Sequence, residues 1–179
     1  SGRGSGGDAD SPAQDPAVKY WQEVNQQFDL YEPIVVLIDT KKPLGIFSLQ
    51  TLSLIKWYTD QLAKTDGIRP DEIASVFTEK TIQATDDGIV TEPVIASLPQ
   101  TEVELAALRE RVMGFPLHLG TLVARDGSAA VIAARLTDKA DGGDVYNALL
   151  ALADRAPQHG EQIHVAGQPV ASEYLEEYL

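Results

Sequence analysis

The stretch PIVVLIDT at residues 33–40 decides the fold of this chain. Its first six residues are all apolar, and Ile34, Val35, Val36 and Ile38 are β-branched. A continuous run of this kind is typical of a strand that is buried on both faces. We therefore predict a central strand. Its outer face has to be covered by an N-terminal helix, by an inserted segment or by a neighbouring domain.

Helix and strand signals follow on both sides of this strand. Ser48 is a suitable N-cap for a helix with apolar residues at helical spacing from Leu49 to Leu62. The pair Asp66-Gly67 favours the end of that helix, and residues 73–84 form a second strand region that runs through 74–78.

The second half of the chain carries similar signals. Thr101 and Glu104 form a capping box, which predicts the start of another helix. Further predicted elements are an N-terminal helix at 18–28, a hairpin at 122–136 with its turn at Asp126-Gly127, a helix around 145–153, a strand at 162–167 and a helix at 171–179.

These elements predict an α+β fold. Residues 1–16 are rich in glycine, serine, aspartate and proline, so they are interpreted as a flexible lead-in or an artificial linker. Residues 17–179 form one domain. When an insert at about 85–120 is set aside, the remaining order is β-α-β-β-α-β, the split βαβ or ferredoxin-like pattern.

Composition excludes several classes of function. Acidic residues number 27 and basic residues 14, and the net charge of -13 disfavours binding to nucleic acid. The chain has no cysteine, which excludes thiolate nucleophiles and cysteine-ligated zinc. No apolar run approaches the roughly 20 residues of a membrane helix. The apolar ending Tyr178-Leu179 predicts that the natural chain continues.

No arrangement of residues predicts a catalytic centre, a cofactor site or a metal site. His118, His159 and His164 lack the spacing of metal ligands, and His164 is predicted to be a hydrogen-bonded histidine within a strand. No serine lies in a nucleophile elbow, and no phosphate-binding P-loop is present. We therefore predict that the chain is not an enzyme.

The stretch at residues 112–119 is apolar. It contains glycine and proline and joins a helix to the predicted hairpin. Buried apolar residues are the default, so these residues are expected to fill the core beneath the insert.

Taken together, the sequence resembles the first extracytoplasmic loop of resistance-nodulation-division (RND) exporters. It is most similar to the branch with the MMPL-like and hopanoid-exporter-like lipid transporters, and the resemblance covers about residues 18–179. The segments that carry it are PIVVLI at 33–38, GIFSLQTL at 45–52, DGI at 66–68, ASVF at 74–77, LPQT at 98–101, GTLVARDGSAAVI at 120–132 and IHVAGQPV at 163–170.

The resemblance implies a ferredoxin-like porter domain at the extracytoplasmic, periplasmic face of the bacterial inner membrane. Its partners would be the membrane helices and second porter loop of the same proton-driven transporter, a hydrophobic or lipid-like molecule and, as a further hypothesis, a second copy of itself. Energy coupling in the family uses ionisable residues inside membrane helices, so this domain would guide substrate without covalent chemistry. In this interpretation the flexible apolar segment at residues 112–119 would instead line a hydrophobic substrate path. Met113, Phe115 and Leu117 are its candidate contacts, since methionine adapts to the shape of a ligand. Two alternatives stay open: a freestanding ferredoxin-like ligand-binding or regulatory module, and a small enzyme with an unfamiliar site.

Overall fold

The computed structural model describes residues 19–20, 33–115 and 118–167. The described part is an α+β fold with three helices, a four-stranded antiparallel sheet and a smaller two-stranded sheet. The strands are β1 (Ile34–Asp39), β2 (Ile68–Ala74), β3 (Lys80–Thr85), β4 (Gly88–Pro93), β5 (Ala129–Leu136) and β6 (Gln162–Gly167), and the helices are α1 (Leu49–Ala63), α2 (Glu102–Met113) and α3 (Gly142–Arg155). The predicted lead-in at 1–16, most of the predicted helix at 18–28 and the predicted helix at 171–179 lie outside the described residues.

The main sheet has the order β2-β5-β1-β6, and each neighbouring pair is antiparallel. β1 lies inside the sheet and pairs with β5 on one side and with β6 on the other. All six residues of β1 are buried, which confirms the prediction of a central strand buried on both faces.

Alternate residues of β1 belong to two separate apolar clusters. Ile34, Val36 and Ile38 pack in the main core, which also contains the buried faces of α1 and α3. Val35 and Leu37 point to the opposite face, as the two-residue period of a strand requires. There they form a second cluster with Tyr20, Ala124, Ala129, Val131, Ala133 and Ala166. Among the described residues, Tyr20 is the part of the predicted N-terminal helix that covers this outer face.

Helix α1 begins where the sequence predicts. The Ser48 hydroxyl accepts a hydrogen bond from the Thr51 backbone N–H at 3.2 Å, which satisfies one of the free donors of the first turn. Leu52, Ile55 and Leu62 are fully buried on the face toward the sheet. The predicted cap and apolar face of this helix are therefore confirmed.

The prediction of a strand through residues 74–78 is wrong. β2 starts earlier, at Ile68, and ends at Ala74, and a turn precedes β3. The Thr78 hydroxyl accepts a hydrogen bond from Ser75 N–H at 2.8 Å, and the Ser75 hydroxyl accepts one from Phe77 N–H at 3.0 Å. These hydroxyl groups accept hydrogen bonds from backbone N–H groups that a continuing strand would need for pairing with its neighbour.

The predicted hairpin at 122–136 forms only in part. β5 supplies one arm, whereas the other arm is reduced to a single antiparallel bridge between Val123 and Ala130. The reason is that β5 already pairs with β1 on one edge and with β2 on the other. Gly127, with a φ of 77°, still makes the turn that the Asp126-Gly127 pair predicts.

An insert between β2 and β5 contains the β3–β4 hairpin and α2. Thr85 and Gly88 are paired at the turn of this hairpin, in agreement with the turn signal at residues 86–88. The capping-box prediction for α2 is confirmed, because the Thr101 hydroxyl accepts a hydrogen bond from Glu104 N–H at 3.1 Å. Two backbone hydrogen bonds fasten the base of the hairpin: Val94 N–H donates to the Glu79 carbonyl and Ile95 N–H to that of Val76, each at 2.8 Å.

A buried glutamate joins three segments of the fold. The Glu161 side chain is completely inaccessible to solvent, and its Oε2 accepts hydrogen bonds from Thr51 Oγ1 at 2.6 Å and from Lys42 Nζ at 3.1 Å. Its Oε1 accepts a hydrogen bond from the His159 backbone N–H at 2.5 Å. The loop after β1, the first turn of α1 and the residues before β6 therefore meet at one carboxylate.

Candidate functional site

An apolar cavity of about 280 Å³ lies between the β3–β4 hairpin and the C-terminal end of α2. This volume is close to the lower end of the range for small-molecule sites, about 300 Å³. We call it the α2 cavity. It is lined by Thr81 of β3, by Val94 after β4, by Glu110, Arg111 and Val112 of α2, and by Gly114, Phe115 and His118 after the helix.

The floor of the α2 cavity belongs to the main core. Val112 is 3% exposed and Val94 is 5% exposed, and both are members of the main apolar cluster. The floor is therefore rigid, because it is packed on its other side against buried side chains.

The end of α2 places Phe115 at the rim of the cavity. Gly114 is the C-cap, and its N–H donates to the Glu110 carbonyl at 2.9 Å. Phe115 N–H then donates to the Val112 carbonyl at 3.2 Å, which keeps the chain close to the helix end. The Phe115 side chain remains 36% exposed, so part of its ring faces solvent at the edge of the cavity.

One hydrogen bond ties the two walls of the cavity together. Arg111 Nη2 donates to the Val94 carbonyl oxygen at 3.0 Å, so α2 is fastened to the segment that follows the hairpin. Glu110 also lines the cavity, so one carboxylate and one guanidinium lie in its wall. Glu79 is not part of the wall, but its charge acts on His118.

His118 is the histidine in the cavity wall. Its Nε2 is buried and has no hydrogen-bond partner within the described residues, and its ring centroid lies 5.9 Å from that of Phe115. Burial lowers the pKa of His118, and the negative charge of Glu79 opposes this effect only in part. With an ordinary pKa of about 6.5, a lowered value makes the imidazole neutral at pH 7. An unpartnered buried group of this kind costs about 1–3 kcal/mol.

The three predicted contact residues have different positions. Met113 is partly buried and packs against the main core, with its Sδ 3.3 Å from where a Cβ on Gly127 would lie. Phe115 lines the α2 cavity, and Leu117 lies outside the described residues. The role of these residues as substrate contacts stays a prediction.

Sequence reasoning did not identify Thr81, Val94 or His118 as parts of a site. Thr81 and Val94 are distant in sequence from α2, and no local signal marks them. His118 could have been found, since it is the one polar residue between Val112 and Leu119.

Two other cavities in the described part of the chain have charged walls. One, of about 320 Å³, lies near β2 and is lined in part by Asp71, Glu72 and Arg135. The other, of about 330 Å³, is lined in part by Asp39 and Lys42. The described residues contain no group of three or more histidine, aspartate or glutamate side chains that could hold a metal ion. Apolar atoms make up a larger share of the wall of the α2 cavity than of either of these walls, so it is the better candidate for an apolar ligand.

The other two histidines lie away from this cavity. His159 is exposed in the loop before β6. His164 lies within β6 as predicted, with its Nε2 3.4 Å from Asp39 Oδ2 on the neighbouring strand. Neither residue lines the α2 cavity.

Comparisons of the chain with protein-family models, with curated proteins and with solved structures find no match. In the part of the chain that the structure describes, no helix is both long and apolar enough to cross a membrane. Function therefore has to be inferred from the fold, the α2 cavity and the sequence pattern.

Proposed function

We propose that this chain is the extracytoplasmic porter domain of a proton-driven RND-type exporter, and that it guides a hydrophobic or amphiphilic molecule across the envelope. The observation that carries the proposal is the α2 cavity, an apolar space with a rigid floor and a half-exposed aromatic residue at its rim. The partners in this proposal are the transporter's own membrane helices and second porter loop.

The strand order supports a ferredoxin-like porter fold. β1 and β2 are connected through α1, and β5 lies between them and is antiparallel to both. β5 and β6 are connected through α3, with β1 between them. In each βαβ unit, a strand of the other unit therefore lies between the two parallel strands. Helices α1 and α3 both contribute to the apolar cluster on one side of the sheet.

The position of the cavity supports a guiding role. Its walls come from the β3–β4 hairpin and from α2, which are held together by the Arg111–Val94 hydrogen bond. A movement of the hairpin relative to α2 would change the width of the cavity without disturbing the four-stranded sheet. Passage of a substrate in this way requires no covalent chemistry.

Replacing Phe115 by aspartate is expected to weaken the binding of a neutral apolar fluorophore such as phenylnaphthylamine. The wild-type domain should give a saturable rise in fluorescence, and the variant should lose at least tenfold in affinity because a carboxylate at an apolar rim has to be desolvated. The measurement is a fluorescence titration at pH 7. Since Phe115 is 36% exposed, the variant should keep the wild-type circular dichroism spectrum.

The matched control is Leu150→Asp, which puts the same charge on an exposed apolar residue of α3. This variant should bind the fluorophore like the wild-type domain. Thr81→Phe tests the same site in another way, because a large side chain on β3 would fill the cavity and suits a strand. A wild-type domain without saturable binding, or equal binding by all variants, would contradict the proposal.

A further inference from the structure

The wall of the α2 cavity contains a buried nitrogen that has no hydrogen-bond partner in the part of the chain that the structure describes. His118 Nε2 is inaccessible to solvent, and no polar atom of the described residues bonds to it. Its ring contacts that of Phe115, the half-exposed residue at the rim. Buried polar groups in proteins are nearly always paired, so an unpaired one in the wall of an apolar cavity points to a ligand group that pairs with it.

The chemistry of the site restricts that partner. A neutral imidazole nitrogen is a donor in one tautomer and an acceptor in the other, and a hydroxyl group can pair with either. A carboxylate is an acceptor only, and it would bring a negative charge close to Glu79 and Glu110, with one arginine, Arg111, to oppose them. An alkane would leave Nε2 unpaired.

We propose that the α2 cavity binds an aliphatic molecule with a single hydroxyl group, which pairs with His118 Nε2 while the aliphatic part lies on Val94, Val112 and Phe115. This inference rests on the proposed function, since it names the class of ligand for the same cavity. It also gives His118 a role in specificity: the residue selects alcohols among apolar molecules of similar size.

The test compares octanol, chlorooctane and octanoate as competitors of the bound fluorophore. The wild-type domain should bind octanol about tenfold more tightly than chlorooctane, as expected for a hydrogen bond to an otherwise unpaired buried group. Octanoate should bind more weakly than octanol. The variant His118→Phe should lose the preference for octanol and bind chlorooctane at least as tightly, because the hydroxyl of octanol would be buried there without a partner.

His159→Phe is the matched control, because it makes the same replacement at an exposed histidine outside the cavity and should keep the preference for octanol. His118→Leu provides a second cavity variant and should behave like His118→Phe. Equal binding of octanol and chlorooctane by the wild-type domain, a preference that survives in both His118 variants, or tighter binding of octanoate would overturn this inference alone. Failure of the wild-type domain to bind either neutral compound would instead contradict the proposed function.

Discussion

The variant Glu161→Gln is expected to unfold with a free energy about 3 kcal/mol lower than that of the wild-type domain at pH 7. Glutamine has nearly the shape of the glutamate but lacks the charge that Lys42, Thr51 and the His159 N–H stabilise. The glutamine side chain would also place its NH2 group, a hydrogen-bond donor, beside groups that are themselves donors. The measurement is equilibrium unfolding in urea.

The pKa of Glu161 gives this prediction a pH dependence. Burial alone would raise the pKa, but the hydrogen bonds from the Thr51 hydroxyl, from the N–H groups of His159 and Glu161 and from Lys42 outweigh it and lower the pKa from 4.5 to about 2. A lowered folded-state pKa stabilises the protein above the unfolded value, and this contribution is lost as the pH falls toward 2. The stability difference between wild type and variant should therefore be constant from about pH 7 to pH 5 and about half as large near pH 3.

The control for this prediction is Asp60→Asn, which removes the exposed ion pair with Lys56 on α1. Exposed pairs of this kind contribute less than about 1 kcal/mol. A Glu161 variant as stable as the Asp60 variant, or a stability difference that grows as the pH is lowered, would show that the buried carboxylate does not stabilise the fold as described.

The variant Gly45→Ala is expected to lower the free energy of unfolding by about 4 kcal/mol. Gly45 has a φ of 64°, and a Cβ there would lie 2.0 Å from the Gly127 carbonyl oxygen. Both groups are backbone, so neither can move aside without disturbing the hydrogen bond from Ile46 N–H to the same oxygen, at 2.9 Å. Thermal and urea unfolding both measure this loss.

Gly160→Ala separates the clash from the backbone conformation. Gly160 also has a positive φ, 94°, but nothing lies within 4 Å of the position that its Cβ would take. Its replacement should cost only about 1–2 kcal/mol, the strain of a left-handed residue. Equal losses at the two glycines would mean that the close approach of the Gly45 and Gly127 loops does not matter for stability.

Local sequence signals predicted the elements that depend on local chemistry. The β-branched run at 33–38 forms β1, and the hydroxyls of Ser48 and Thr101 cap the helices that they precede. Each of these features depends on residues that are close in sequence, and therefore a single sequence is enough to predict them.

Features that depend on competition between segments were predicted less well. The turn after Ala74 depends on hydroxyl groups that bond to backbone N–H groups, and its sequence also suits a strand. The first arm of the predicted hairpin is short because β1 and β2 occupy both edges of β5. The α2 cavity is of the same kind: the sequence indicates residues 112–119, but Thr81 and Val94 reach the site only through tertiary packing.

The central claim, that this domain is the extracytoplasmic loop of a membrane exporter, is tested most directly by reading the natural gene on both sides of the segment. The account predicts an apolar stretch of about 20 residues just before residue 17, another just after Leu179, and further such stretches downstream. Stop codons or polar, globular sequence at both positions would contradict the exporter assignment. In that case, the freestanding ligand-binding module would be the better explanation of the α2 cavity.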